Sequence, residues 1–500
     1  MERQALFMNR PHIAIVGGGL GGLAAAVTLA HAGMRVSLFE KNSHFGGKLM
    51  PVELGSYRFD FGPNTITLPG VFQQVIAQTG RDPEQYFQLE KLDVHTRNHF
   101  SDGSQIDFTA DRDGMMHQLE TLDPFAAGRY DAFLKETERL YRLSEQYFFP
   151  LSFQSFRDYL SPALGKALLQ VRPYESMDRF FSRYFKHPGL RQAFGRYATY
   201  IGSSPYKAPA TFAMIAHLEL AQGVFYAKGG NTSIAEGFAA VAAECGAQLH
   251  ADTAVTRILT EKGQACGVEL ADGRMVEADA VILNGDLLSA FPELVEEQER
   301  SSFRNAKRDK FEPSISAFVI TAGLSVRLSE LKHHNVFFSG DYPGEFRELF
   351  ADNAYSNDPT IYISNSSHSD PSVSPEGDNL FILVNAPALT ADNELQIDPE
   401  HYKERIYDLL EHYGIFIREH IKQEKIFTPA FIRDKFGSHR GALYGPSSNR
   451  PQDAFLRPGN ASRDIDGLYF VGGSVHPGGG SPMVTLSGLN VARRLIQKHI

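Results

Sequence analysis

Five hundred residues with a formal net charge of −10 make a chain too long for one ordinary core and too acidic to be organised around nucleic acid. Two cysteines, Cys245 and Cys266, stand in no metal-like spacing. They exclude a disulfide framework and point to a reduced, cytoplasmic setting, with both read as small buried apolar residues.

The first organised stretch is IAIVGGGLGG at 13–22, followed by LAAAVTLAHAG and then MRVSLFEK ending near Glu40. It reads as strand, turn, helix, strand, and Gly17, Gly19 and Gly22 fit the spacing G-x-G-x-x-G. Gly17 permits the tight turn, Gly19 removes a Cβ that would keep a pyrophosphate off the backbone, and Gly22 lets helix and strand approach. Gly18 and Gly21 complete the run. The helix start offers unpaired N–H groups and a partial positive charge to phosphates. Glu40, at the end of the second strand, can accept hydrogen bonds from ribose hydroxyls. These features predict a dinucleotide site. Residues 13–30 carry no charge, but five of the eighteen are glycines bunched at the turn, so they are not read as a signal or a membrane span.

Next comes Phe45-Gly46-Gly47-Lys48, a turn crossing near the cofactor. Lys48 is available there to phosphate or ribose, or is simply a solvated loop lysine. Arg58–Pro63 and Thr65–Pro69 predict a strand edge and an extended turn. Residues 86–224 show helical periodicity, as in Tyr130–Tyr147 with Phe133, Leu134, Leu140 and Leu143. From Phe148 to Tyr200 aromatic and basic residues interleave: Phe149, Phe153, Phe156, Arg157, Tyr159, Lys166, Arg172, Tyr174, then Arg179–Lys186. Either these are a core with solvated charges, or they form a patch that dips rings into a bilayer and holds headgroups.

An apolar helix is expected from about Ala210 to Leu220 and an Ala-rich one over Ser233–Ala243. Strands are expected at 248–250, 254–259, 265–270 and 280–285, a return to the nucleotide domain. Residues 291–430 predict a mixed sheet (314–321, 335–338, 360–364, 380–385) and an amphipathic helix at 401–413. His333-His334 invites a metal, but neighbours on a strand point to opposite faces and no cluster supports one. The last strand, Gly467–Val471, leads into GGSVHPGGGSPMVTLSG and a final helix. Such a glycine run brings bare backbone against a large flat group, and an isoalloxazine ring with a helix N-terminus at its N1 side fits that description.

The segments GGGLGGLAAAVTLAHAG, FEKNSHFGGKL, RFDFGP and GLYFVGGSVHPGGGSPMVTLSG together resemble the carotenoid desaturase and oxygenase family of FAD-dependent, amine-oxidase-like flavoproteins, essentially end to end. The tails GGSVHPGGGSPMVTLSG and IGSSPYKAPA look closer to its terminal-oxygenase branch. The resemblance implies an α/β fold: a discontinuous Rossmann-type FAD-binding domain (1–85, 225–290, 431–500), a helical, membrane-associating lobe (86–224) and a mixed-sheet substrate domain (291–430). It implies that Gly17, Gly19 and Gly22 bind the pyrophosphate and Glu40 the ribose. Lys48 falls near the cofactor, Val255 touches the adenine side, and Gly472, Gly473, Pro482, Met483 and Val484 lie along the flavin. It implies desaturation or oxidation of a linear C30 or C40 polyene and a quinone or oxygen as electron acceptor. Peripheral contact with the inner face of the cell membrane is implied too. No catalytic acid or base is assignable, His476 included. The alternatives are a flavin oxidase of a soluble amine and a non-enzymatic lipid carrier.

Overall fold

The computed structural model describes residues 10–151, 161–390, 392 and 397–499. Five short strands form one all-parallel sheet: β1 (His12–Val16), β2 (Arg35–Phe39), β3 (Gln248–His250), β4 (Ala280–Leu283) and β5 (Leu468–Phe470), in the order β5-β4-β1-β2-β3. Helices α1 (Leu20–His31) and α2 (Ser481–His499) pack on it. Every residue of α1 from Leu20 to Ala30 is buried, because α2 and the helix Thr232–Glu244 cover the sides that the sheet leaves. A helix enclosed on all sides has no face for charge, and this accounts for the uncharged run 13–30. The α1–α2 contact is backbone-close: a Cβ on Gly488 would lie 2.0 Å from the Gly21 carbonyl oxygen.

A seven-stranded mixed sheet stands beside this layer, in the order Ile421–Phe427, Ser316–Leu324, Asn379–Ala386, Ile361–Asn365, His334–Phe337, Thr96–His99, Gln105–Phe108. All neighbours are antiparallel except His334–Phe337 with Thr96–His99. Three of the seven strands were not expected. Thr96–His99 and Gln105–Phe108 come from a segment whose periodicity otherwise reads as helical, and Ile421–Phe427 does not alternate enough to announce itself, with six exposed or half-exposed positions in a row. The expected helix over 210–220 also differs. It is a 3₁₀ turn (Ala210–Ala213), one α turn (Met214–His217) and a π turn (Leu218–Gln222). The π turn rotates Glu219 into the interior, where it is fully buried.

The helical region is held by an aromatic core. Phe133 of Tyr130–Tyr147 meets Phe185 and Phe194 at ring-centre distances of 5.0 Å each, and Phe185 stacks on Phe194 at 4.1 Å. Phe180, Phe181 and Phe185 are therefore packing residues and do not reach a bilayer. Phe153, Phe156, Arg157 and Tyr159 lie outside the described residues. His333 and His334 do not point apart: their rings are 4.4 Å from one another, with separate partners in Ser369 and Tyr362. Cys245 and Cys266 are half-buried and free, and Cys245 Sγ accepts from Arg81.

Candidate functional site

β1 and β4 run side by side until Val16 and Leu283, so Gly17 and Asn284 leave the sheet together. β2 lies on one side of β1 and β4 on the other, which makes this the point where strand order reverses. Parallel sheets take up ligands there, beyond the carboxyl ends of the strands. A cavity of ≈ 620 Å³ opens at this place.

Gly17 has φ of +101°, and a Cβ on it would sit 2.8 Å from the Asn284 carbonyl oxygen, so only glycine fits. A Cβ on Gly22 would lie 2.3 Å from the Gly17 oxygen, which makes Gly22 the spacer between helix and strand. Gly19 precedes α1 with ordinary extended backbone and no side-chain cap, and it faces the cavity. The first N–H groups of α1 are thus left for an anion. Glu40 is buried. Its Oε2 accepts from the Gly18 N–H at 2.7 Å, and its Oε1 from the Asn42 N–H and Nδ2, each at 2.8 Å. A carboxylate has about four acceptor positions, so Glu40 retains capacity on the cavity side for a ribose hydroxyl.

Of the thirteen residues singled out in the sequence, Gly17, Gly19, Gly21, Glu40, Lys48, Val255, Gly472, Gly473, Pro482, Met483 and Val484 line this one cavity. Gly18 and Gly22 stand behind its wall, the first as donor to Glu40 and the second as spacer. Residues 472 and 473 follow β5, and Pro482–Val484 form the first turn of α2. The two ends of the chain meet across several hundred residues.

Lys48 is not a solvated loop lysine. Its Nζ donates to the Leu443 carbonyl, and burial pulls the ammonium down to about 8 against the opposing charge of Asp286. The unfolded chain keeps a lysine near 10.5, so between these two values it binds the extra proton and stability rises with pH. Lys48→Met removes that penalty. The FAD-free variant is expected to melt several degrees above the parent at pH 7, with the gap closing by about pH 10. A gap of equal size at both pH values would show that the gain is packing and not charge.

Three residues carry the site without having been singled out. Asn284 Nδ2 donates to the Gly17 oxygen at 3.0 Å, and the same side chain is what a Cβ on Gly19 or Gly472 would first meet. Its place directly after a buried strand could have pointed to it. Arg457 is buried, donates to the Gly473 and Pro446 oxygens at 2.7 Å each, and is pulled down to about 10 by burial. It braces the C-terminal glycine run from behind. Nothing in its local sequence marks it. Arg196 is the third. His476, by contrast, is a fully enclosed neutral imidazole bonded to the Phe148 oxygen at 2.8 Å and held down to about 4 by burial.

Bare backbone at a helix start, an acid at the end of β2 and a second glycine run at another helix start fit a dinucleotide whose flat ring lies along residues 472–484. Where a flavin takes that place, it supplies hydride acceptance. Fold and site together define a flavin-dependent oxidoreductase. The chain belongs to the family of flavin containing amine oxidoreductases, which it matches over residues 20–496.

Within that family it is similar to a 4,4'-diaponeurosporene oxygenase of Staphylococcus haemolyticus, at 34% identity over 98% of this chain and 97% of the relative. It is 35% identical to a 4,4'-diapolycopene oxygenase of Methylomonas sp, over 98% of both chains. A zeta-carotene-forming phytoene desaturase of Myxococcus xanthus is 34% identical over 97% of this chain and 93% of its own.

Proposed function

We propose that this protein is an FAD-dependent oxidoreductase of carotenoid formation that acts on a linear C30 or C40 polyene, oxidising its terminal carbon or desaturating its chain. One observation carries the reading: the cavity lined by the glycine cradle is lined also by the apolar side chains of Phe212, Met214, Ile215, Leu218, Phe381 and Leu383. A small polar amine has no use for such walls, whereas a hydrocarbon is held and oriented by them. In this reading residues 1–85, 225–290 and 431–500 hold FAD, and the segments between them, 86–224 and 291–430, hold substrate. Oxygen or a quinone takes the electrons.

The hydrocarbon reaches the cavity from a bilayer. Phe148, Phe149 and Phe455 line its wall, and the residues that follow them, Leu151 and Leu456, are 37% and 51% exposed. Leu169 and Tyr174, at 76% and 85%, are further exposed apolar side chains of the helical region. No helix among the described residues is long and apolar enough to cross a membrane, so the contact proposed is peripheral.

One experiment addresses all of this. The protein is expressed in cells that make a linear polyene, the cells are fractionated, and their pigments are weighed. The expected result is a yellow, FAD-bearing protein that sediments with membranes, and a pigment changed by gain of oxygen or loss of hydrogen. Unchanged pigment overturns the substrate. Protein confined to the soluble fraction, with and without anionic lipid, overturns the membrane contact alone.

A further inference from the structure

One buried cation in the cavity wall has no part in cradling a dinucleotide. Arg196 opens the turn Arg196–Ile201, is 7% exposed, and lines the same cavity as the glycine runs. Its Nε has no hydrogen-bond partner. Glu219, the nearest counter-charge, is engaged elsewhere: its carboxylate accepts from Tyr197 at 3.0 Å and from Tyr200 at 2.5 Å. The guanidinium carbon lies 5.2 Å from the centre of the Tyr200 ring. Burial alone would pull the guanidinium down, but Tyr200 and Glu219 outweigh it and keep Arg196 charged. A second polar group joins it on the wall. The Tyr362 hydroxyl is fixed 2.9 Å from His334 Nδ1, and the imidazole is kept neutral by burial.

A buried guanidinium with an unfilled donor is expensive in an apolar wall unless a ligand supplies the acceptor. The Tyr200 oxygen is one acceptor beside it, and Phe212, Ile215 and Leu218, which also line the cavity, supply none. Glu219 already balances the charge, so a neutral oxygen suits the position better than a second carboxylate. We propose that Arg196 receives the hydroxyl or carbonyl oxygen of a polyene that already carries oxygen at one end, so that the site favours the oxygen-bearing chain over the bare hydrocarbon. The inference rests on the polyene reading above. It makes Arg196 a specificity residue, whereas a purely structural role would have it only neutralise Glu219.

The test uses full-length, FAD-loaded enzyme and two substrates, a linear polyene and the same chain ending in an aldehyde. In Arg196→Met the ratio of kcat/KM for aldehyde to that for hydrocarbon is expected to fall about 30-fold, as for loss of one charge-assisted hydrogen bond, and to recover partly in Arg196→Lys. The parent should also shift the absorption of bound aldehyde to the red relative to apolar solvent, since a cation at the carbonyl oxygen favours the charge-separated excited state. Arg196→Met should abolish that shift. A ratio within threefold of the parent, or both substrates failing in parallel with the shift retained, overturns the proposal. If Arg196→Met does not fold, Arg196→Gln is read in its place by the same ratio and absorption shift, and a shift equal to the parent's in that uncharged variant overturns the proposal. A parent that converts neither substrate removes the polyene reading, and this inference with it.

Discussion

Gly19→Val is expected to give a folded protein that has lost its flavin. Gly19 has φ of −70° and ψ of 172°, a conformation any residue adopts, so the substitution is not strained in the backbone. Its Cβ meets nothing closer than Asn284 Nδ2 at 3.0 Å, a side-chain end that can yield. The added methyls project where the N–H groups of α1 face the cavity, and they hold a pyrophosphate off those donors. FAD affinity should fall by more than about 100-fold, roughly 2.8 kcal/mol. The check is flavin released per chain from purified protein, alongside a circular dichroism spectrum that matches the parent. A variant that purifies with one FAD per chain would place the cofactor elsewhere.

Gly488→Ala is expected to destabilise the protein, although the position lies inside a helix. Helix propensity alone favours alanine there by about 1 kcal/mol. The new Cβ, however, would lie 2.0 Å from the Gly21 oxygen and 2.9 Å from the carbonyl carbon, both backbone atoms of the buried helix α1. Neither can turn aside, so α1 and α2 must separate, at roughly 3 kcal/mol for an overpacked core. The clash outweighs the propensity gain by about 2 kcal/mol. A melting temperature several degrees below the parent, with or without added FAD, is the expected reading. An unchanged or raised value would mean that the two helices are not in backbone contact. The same movement displaces Pro482–Val484 from the cavity, so flavin content should fall too.

The cofactor cradle was legible because its chemistry is local. A glycine that must turn, a glycine that must clear a phosphate and an acid at the end of a strand each sit at a defined distance along a few dozen residues. Glu40, Gly17 and Gly19 could therefore be named before any coordinates. The aromatic run around Phe180–Phe185 was ambiguous because a ring buried in protein and a ring buried in lipid obey the same pattern. Only packing against Phe133 and Phe194 separates the two. Thr96–His99 went unread because it is tied into the sheet by His334–Phe337, more than two hundred residues away, and Gln105–Phe108 joins only as its hairpin partner at the sheet edge. Glu219 was hidden for a related reason, since a π turn changes which side of a helix a residue faces.

By itself the sequence determined that this chain carries a glycine turn suited to a dinucleotide at its beginning and a second glycine run ahead of a helix at its end. Those demands fall on single residues whose φ, missing Cβ or charge follows from residue type. Tertiary structure alone decided that the two ends share one cavity, that Asn284 and Arg457 brace them, and that Arg196 stands in the wall with an unfilled donor. Each of those facts depends on which residues, hundreds of positions apart, compete for the same space and the same hydrogen bonds.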